Sequence, residues 1–545
     1  MFRILIKIFI FFIFPEILVA QLPSYELKWG SNFRYRDVYA REVVDIDSEF
    51  FYTQGRRTGL LITNKWYLAK YDRKKSEQLW QVEMDRIIYQ GIPTDLLSVH
   101  IVNGEFYLFL EAFSKRDDKK YLLLQRLDKE GDPKELKLVE SVNSKRRRNG
   151  DFRIEFSEDR SNFLIFSSPT FNSREPERFA ISVYDIDLGL KWSKDIQLDI
   201  LDKYFKVNKV DLTNNGDVYL VGEKIRQSSL GLDQMIGIGA RIAKRYGAKI
   251  DSINNQRSKL WGTPNSEYLV YKIVGENDLL NQIDLDLNDV FITNMGLELD
   301  FSNNLVAIGG FYSERGYVNS SLKGMFYLTI DQVTNKNFSK QLIPFKTEFI
   351  DGFRMLGRSR RGTEIREDFV FRHFLHRADG GAYILAEDYE VEVRTQQTKN
   401  GTITNYYYYY NDIIAFAVSP AGEIEWSGHI PKRQYSKNDG GQSSGYLPLV
   451  DGKQLHVLFN DNSSNEKRFG ERRPSVTRNF KRSNFVAVTI SEDSEMHYNV
   501  LFNNAKERVY TLPKRSSTNE SLQGDAVLFS LKNGKIQFGS FLHQN

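Results

Sequence analysis

The side chains able to do chemistry are few and scattered. Seven histidines occur, and none stands in the His-Glu-x-x-His spacing that puts two imidazoles and a base on one helix face. His373 and His376 lie three apart in a strand-like FVFRHFL run, where they would point to opposite sides. Asp185 with Asp187, and Asp284 with Asp286, straddle a single residue, so a strand would present each pair on one face. Such pairs hold calcium or do acid-base work only with further ligands or a substrate cleft, which the sequence does not supply, so turn and surface roles are expected. There is no cysteine, which excludes thiol nucleophiles, disulfides and cysteine-ligated metal centres. No set of nucleophile, base and orienting acid can be assembled. The expectation is no catalytic residue, no metal site and no cofactor.

Two local compositions point to contact instead. Tyr406, Tyr407, Tyr408, Tyr409 and Tyr410 are consecutive, and in a strand the even-numbered and odd-numbered rings would make both faces aromatic. Tyrosine buries a broad ring and keeps a polar hydroxyl, which suits recognition as well as half-wet packing. Basic runs occur at 145–148, at Arg358, Arg360 and Arg361, and from Lys467 through Arg472 and Arg473 to Arg482. They could meet an acidic partner, lipid headgroups or phosphate, or keep loops solvated. The tyrosines together with Arg358, Arg360, Arg361, Arg472 and Arg473 are the candidate partner-binding residues. Nucleic acid is not expected as a partner: the formal net charge is only +4 over 545 residues, and no recognition motif accompanies the basic runs.

The elements that must position these residues read as strands. Residues 66–84, 180–198 and 412–430 each give an apolar run, a polar turn and a returning run carrying Trp80, Trp192 or Trp426, the pattern of a hairpin. The tryptophans recur after turns, so packing between sheets is their expected role. Further strand-length runs begin beside Gly, Asn or Asp, among them 103–113, 215–223, 303–312 and 452–460. Pairing each with a hairpin gives units at 38–90, 96–145, 150–202, 206–282, 288–345, 366–430 and 444–503, an all-β fold best read as a seven-bladed β-propeller with extended loops, six or eight blades being compatible. The strands at 25–29, 509–513 and 526–542 could combine to close the ring and cover exposed sheet edges. Residues 224–282 contain an expected insertion or elongated connection, and the polar stretch 391–405 reads as an irregular loop leading into the tyrosines.

Arg3, Lys7, the apolar run Ile8–Phe14 and the small-residue edge Val19-Ala20 before Gln21 read as a signal peptide over 1–20. Residues 21–545 then form one propeller body in the periplasm. The signal peptide, the strands GDVYLVGE at 216–223 and GGAYILAEDY at 380–389, and the Trp-bearing hairpins together resemble exported β-propellers of gliding bacteria. The chain also looks like the periplasmic plug component of the type 9 secretion translocon. That resemblance implies a non-enzymatic interaction scaffold, peripheral to the inner face of the outer membrane, whose partner is an envelope protein such as a large translocon barrel. The alternative is a propeller that binds a carbohydrate or cleaves it as a lyase or hydrolase.

Overall fold

A computed structural model describes residues 25–34, 40–59, 62–147, 149–225, 266–275, 280–287, 290–300, 304–313, 322–355, 365, 369–398, 401–519 and 524–543. These form eight antiparallel sheets of four or five strands and one two-stranded ribbon. Seven of the sheets use four consecutive strands each, over 40–85, 95–143, 151–201, 205–283, 291–344, 369–430 and 447–503, and are numbered blades 1 to 7 in that order. In blade 8 the strands Val509–Thr511 and Ser517–Thr518 are innermost, Ala526–Lys532 and Lys535–His543 follow, and the N-terminal strand Tyr25–Arg34 is outermost. The protein is therefore a multi-bladed β-propeller. Among the described residues the blades number eight, one above the preferred seven and within the compatible range. Each of the seven contiguous units makes a full sheet unaided, and the termini combine into an additional blade.

Middle strands are apolar almost throughout because both of their faces are covered. Leu305–Ser313 is buried at every position, whereas the outermost strand of blade 3, Leu190–Leu201, alternates toward solvent. Every neighbouring pair of blades shares an apolar core. Phe106 and Leu108 of blade 2 pack with Tyr52 and Leu68 of blade 1. The sequence of such cores runs through blades 2 to 7, then joins blade 7 to 8 and blade 8 back to 1. The ring is closed.

Closure rests on the N-terminal strand. Tyr25 pairs with His543 and Arg34 with Lys535, and the Tyr25 ring stacks on Phe541 with centroids 4.7 Å apart. Ser76 of blade 1 meets Ser540 at 2.9 Å, and the Arg73–Asp525 ion pair spans the same joint at 2.5 Å. The edge of Lys535–His543, which would otherwise present a row of open backbone groups, is thereby paired.

The tryptophans do what their spacing suggests. Trp80 Nε1 donates to Lys129 O and Trp192 Nε1 to Gly216 O, both at 3.1 Å and both on the following blade. Trp426 is buried in the core between blades 6 and 7. The aspartate pairs shape turns: Asp185 Oδ1 accepts from the backbone of Asp187 and Gly189, and Asp284 Oδ1 from that of Asp286. The described residues of 391–405 correct the sequence reading, because they form two paired strands rather than an irregular loop. Val391, Val393 and Thr395 alternate with polar residues and stand opposite Tyr408, Tyr406 and Thr404, so one face is β-branched or aromatic and pairing holds as far as Thr398 and Gly401. The signal peptide and most of the 224–282 insertion lie outside the described residues. No helix among the described residues is long and apolar enough to cross a membrane.

Candidate functional site

In an up-and-down blade, the connection between the second and third strands and the connection to the next blade leave from the same end. That end carries 169–175, 431–446, 462–483 and the far end of the longest hairpin among the described residues. The opposite end carries mainly short turns, such as 128–132 and 332–336. Long connections on a rigid ring make the first end the natural place for recognition.

The hairpin belongs to blade 6. Its strands Ala382–Thr398 and Gly401–Val418 pair within the blade up to Glu387 and Ile413, then run on as an arm from Tyr389 and Tyr410 to Thr398 and Gly401. A third strand, Gln434–Lys437, pairs with Tyr407–Tyr410. The 462–483 insertion of blade 7 adds a parallel bridge at Thr477, where Thr477 N donates to Arg433 O at 2.8 Å and Tyr435 N to Thr477 O at 3.0 Å. The fold thus brings two of the sequence candidates together, the tyrosine run and the third basic run.

The five tyrosines divide by face and by depth. Tyr410 is 1% exposed and Tyr406 40%. Tyr410 packs against Tyr389 with centroids 4.6 Å apart, and Lys514 Nζ lies 4.1 Å above its ring while donating to its hydroxyl. Gly441, at φ +65°, closes over the same ring, and a Cβ there would sit 2.6 Å from it. Tyr408 joins this inner face with Val370 and Val393. On the other face Tyr409 and Tyr407 lie 5.3 and 6.3 Å from Tyr435. Cations cover these rings: Arg394 at 4.6 Å and Lys437 at 5.3 Å over Tyr407, and Arg478 at 5.6 Å over Tyr435. The result is an aromatic platform with cationic side chains laid on it, each contact worth about 0.5–1 kcal/mol when exposed.

Arg472 and Arg473 are exposed on the 462–483 insertion. The insertion is tied down by polar side chains that sequence reading passed over. Asn465 Nδ2 donates to Asp461 Oδ1, and Ser475 N donates to Asn465 Oδ1, both at 2.8 Å. Asn462 Nδ2 donates to Val476 O at 2.9 Å. Burial pushes the Asp461 carboxyl up to about 6, against the hydrogen bonds donated by Asn465 and Tyr498. The arm root holds a second buried network. Lys432 Nζ donates to Glu387 Oε1 at 2.7 Å and to Gln434 Oε1 at 3.2 Å, and Arg372 Nε donates to Glu387 Oε2 at 3.2 Å. Burial lowers the Lys432 pKa despite Glu387. Burial works the other way on Glu387, but Lys432 and Arg372 outweigh it and hold the carboxyl below its ordinary value. The available sequence signal was a charged residue inside an apolar strand, Glu387 in AYILAEDY and Asp461 in LHVLFND.

Other charged groups are committed to the ring. Arg147 pairs with Asp95, which also takes Arg86 at 2.7 Å. Arg358, Arg360 and Arg361 lie outside the described residues. First strands neighbour one another around the ring centre. There Lys209 Nζ lies 2.6 Å from Glu298 Oε2 and 3.2 Å from Asp211 Oδ2, linking blades 4 and 5. Burial pushes Asp211 up to about 6 although Lys209 opposes it. Burial takes His100, His373 and His456 down to about 4, so these imidazoles are neutral at pH 7. His373 packs edge-on against Tyr446 at 5.2 Å. Among the described residues no group of three or more His, Asp or Glu side chains is placed to hold a metal ion.

No protein-family model and no curated protein matches this sequence. Solved structures similar in outline include the WD40 domain of SCAP from fission yeast, at 10% identity and a TM-score of 0.38, covering 96% of this chain and 98% of that one. The β-propeller domain of the Trilobed protease from Pyrococcus furiosus gives 8% identity and a TM-score of 0.33 over 86% and 98% of the two chains. Synechocystis apocarotenoid oxygenase gives 10% and 0.32 over 96% and 97%. Likeness at this level assigns no activity or residue role.

Proposed function

We propose that this chain is a non-enzymatic interaction scaffold of the bacterial cell envelope, and that the arm of blade 6 with the adjoining 462–483 insertion is its partner-binding surface. One observation carries the reading. The 389–410 arm leaves its blade, gains a third strand and a bridge from blade 7, and sets Tyr407, Tyr409 and Tyr435, each half-buried, side by side with Arg394, Lys437 and Arg478. Rigid aromatic rings with few rotamers and cations at their rim are what interface hot spots use. The leader over 1–20 supports export, and the resemblance to the type 9 translocon plug supports an outer-membrane barrel as the partner. A carbohydrate is the second reading, favoured by the grouping of Tyr407, Tyr409 and Tyr435, whose rings and hydroxyls a sugar could contact.

A photo-crosslinking residue in place of Tyr407 should capture one envelope protein in the producing cell. The same residue in place of Val333, 81% exposed in the 332–336 turn at the opposite end, should not. Equal capture from both positions, or none from Tyr407 in a folded and exported protein, overturns the reading. Protection of the Tyr407 site by an envelope glycan without protein capture moves it to the carbohydrate.

A further inference from the structure

Among the described residues the outer edge of the arm is unpaired. Its outer strand pairs with Phe369–His376 only as far as Asp388, and among the described residues no strand pairs with that side of Glu392–Gln397. The phase of the hairpin fixes which groups face outward. Val393 stands opposite Tyr406, whose backbone is bonded outside the arm, and ladder bonds alternate, so the bonds into the arm fall on Thr398, Gln396, Arg394 and Glu392. The N–H and C=O groups of Val391, Val393, Thr395 and Gln397 point to the open side. On the far strand the Tyr406 backbone accepts from Asn438 N at 3.0 Å and donates to Asn438 Oδ1 at 2.8 Å.

Exposed edges are normally defended by charges that repel a second copy of themselves. This edge carries Glu392 and Arg394, two residues apart, paired to each other at 2.6 Å, with side chains 38% and 58% exposed. In an antiparallel pairing about a two-fold axis that combination is self-complementary. With the axis at Val393, Glu392 faces Arg394 of the second copy and the reverse, Val393 faces its own counterpart, and Val391 faces Thr395. Outward backbone groups then meet outward backbone groups. A slip by two residues one way sets Arg394 against Arg394, and the other way Glu392 against Glu392. A slip by one turns the apolar face over. The charges select one register.

We infer that two copies of this chain associate through the outer edges of their arms, in an antiparallel pairing over Val391–Thr395 centred on Val393. This goes beyond the partner contact proposed above, with which it shares Arg394, the cation lying over Tyr407. A contact this short is well below the size of a stable interface, so the dimer is weak and is sought over a wide range of protein concentration.

The test is sedimentation velocity of the mature protein across that range, with thermal midpoints as the folding control. Glu392→Arg and Arg394→Glu turn both symmetry-related ion pairs into like-charge pairs, so each should weaken dimerisation about tenfold, and the double variant should restore it. The chain has no cysteine, so register can be read separately. Val393→Cys should cross-link to dimer on oxidation, since a directly opposed pair lies within disulfide reach, and Gln397→Cys should not. A protein monomeric throughout overturns the inference. So does a dimer indifferent to the single charge reversals, or one that Gln397→Cys traps as readily as Val393→Cys. An arm edge that pairs instead with a strand of another protein would give the first of these results, and leaves the partner reading standing.

Discussion

Two neighbouring tyrosines separate structure from recognition. Tyr410 is fully buried under Lys514 and Gly441, so Tyr410→Ala should cost about 3–5 kcal/mol in denaturant unfolding. Tyr407 lies half-buried on the other face beneath Arg394 and Lys437. Tyr407→Ala should cost under about 1 kcal/mol and act on partner capture instead. The alternation of the tyrosine run was legible, since five consecutive rings in a strand must divide between two faces. Which face is buried was not, because Lys514 and Gly441 come from distant positions. Asp461 gives a pH signature. Its folded pKa of about 6 lies above that of an unfolded aspartate, so its carboxyl favours the folded state fully below about pH 4 and loses that contribution as pH rises through 6. Asparagine does not titrate. Asp461→Asn should therefore gain on the native protein by about 2–3 kcal/mol between pH 4 and pH 8, read from unfolding midpoints; parallel pH profiles would remove the buried-carboxyl account.

At the scale of elements, strand positions were readable because buried middle strands are short apolar runs bounded by Gly, Asn and Asp turns. The arm was missed for the same reason. Outside the blade Glu, Arg, Gln, Thr and Asn interrupt the apolar residues through 392–405 and make the stretch look like loop. Its direction is set at the root by Lys432 and Glu387, 0% and 2% exposed at the side chain. Lys432→Met leaves a buried carboxylate with Arg372 opposite it and should destabilise the protein by about 3–5 kcal/mol, far more than loss of any surface pair. A change under about 1 kcal/mol would mean the network does not fix the arm root.

At the scale of the whole molecule, the seven contiguous units could be placed within a few residues because each is a self-sufficient meander. Eight blades was a compatible count and the closing strands at both ends were recognisable, but the number could not be fixed from repeats, since the blade joins strands from both ends of the chain. The closing strand packs Tyr25, Leu27 and Trp29 into the core between blades 7 and 8. Deleting 25–34 should cost about 5 kcal/mol or more in apolar burial and broaden the unfolding transition as blade 8 frays. The central claim is that the arm makes the partner contact. Tyr407→Ala with Tyr435→Ala strips the aromatic platform while leaving the buried Tyr389–Tyr410 pair in place. The decisive measurement is native isolation of the unchanged and the platform-stripped protein from the producing cell after gentle crosslinking. The expected result is a specific envelope protein recovered with the unchanged chain and lost with the stripped one, both remaining folded by thermal midpoint. Equal recovery with both would contradict the account.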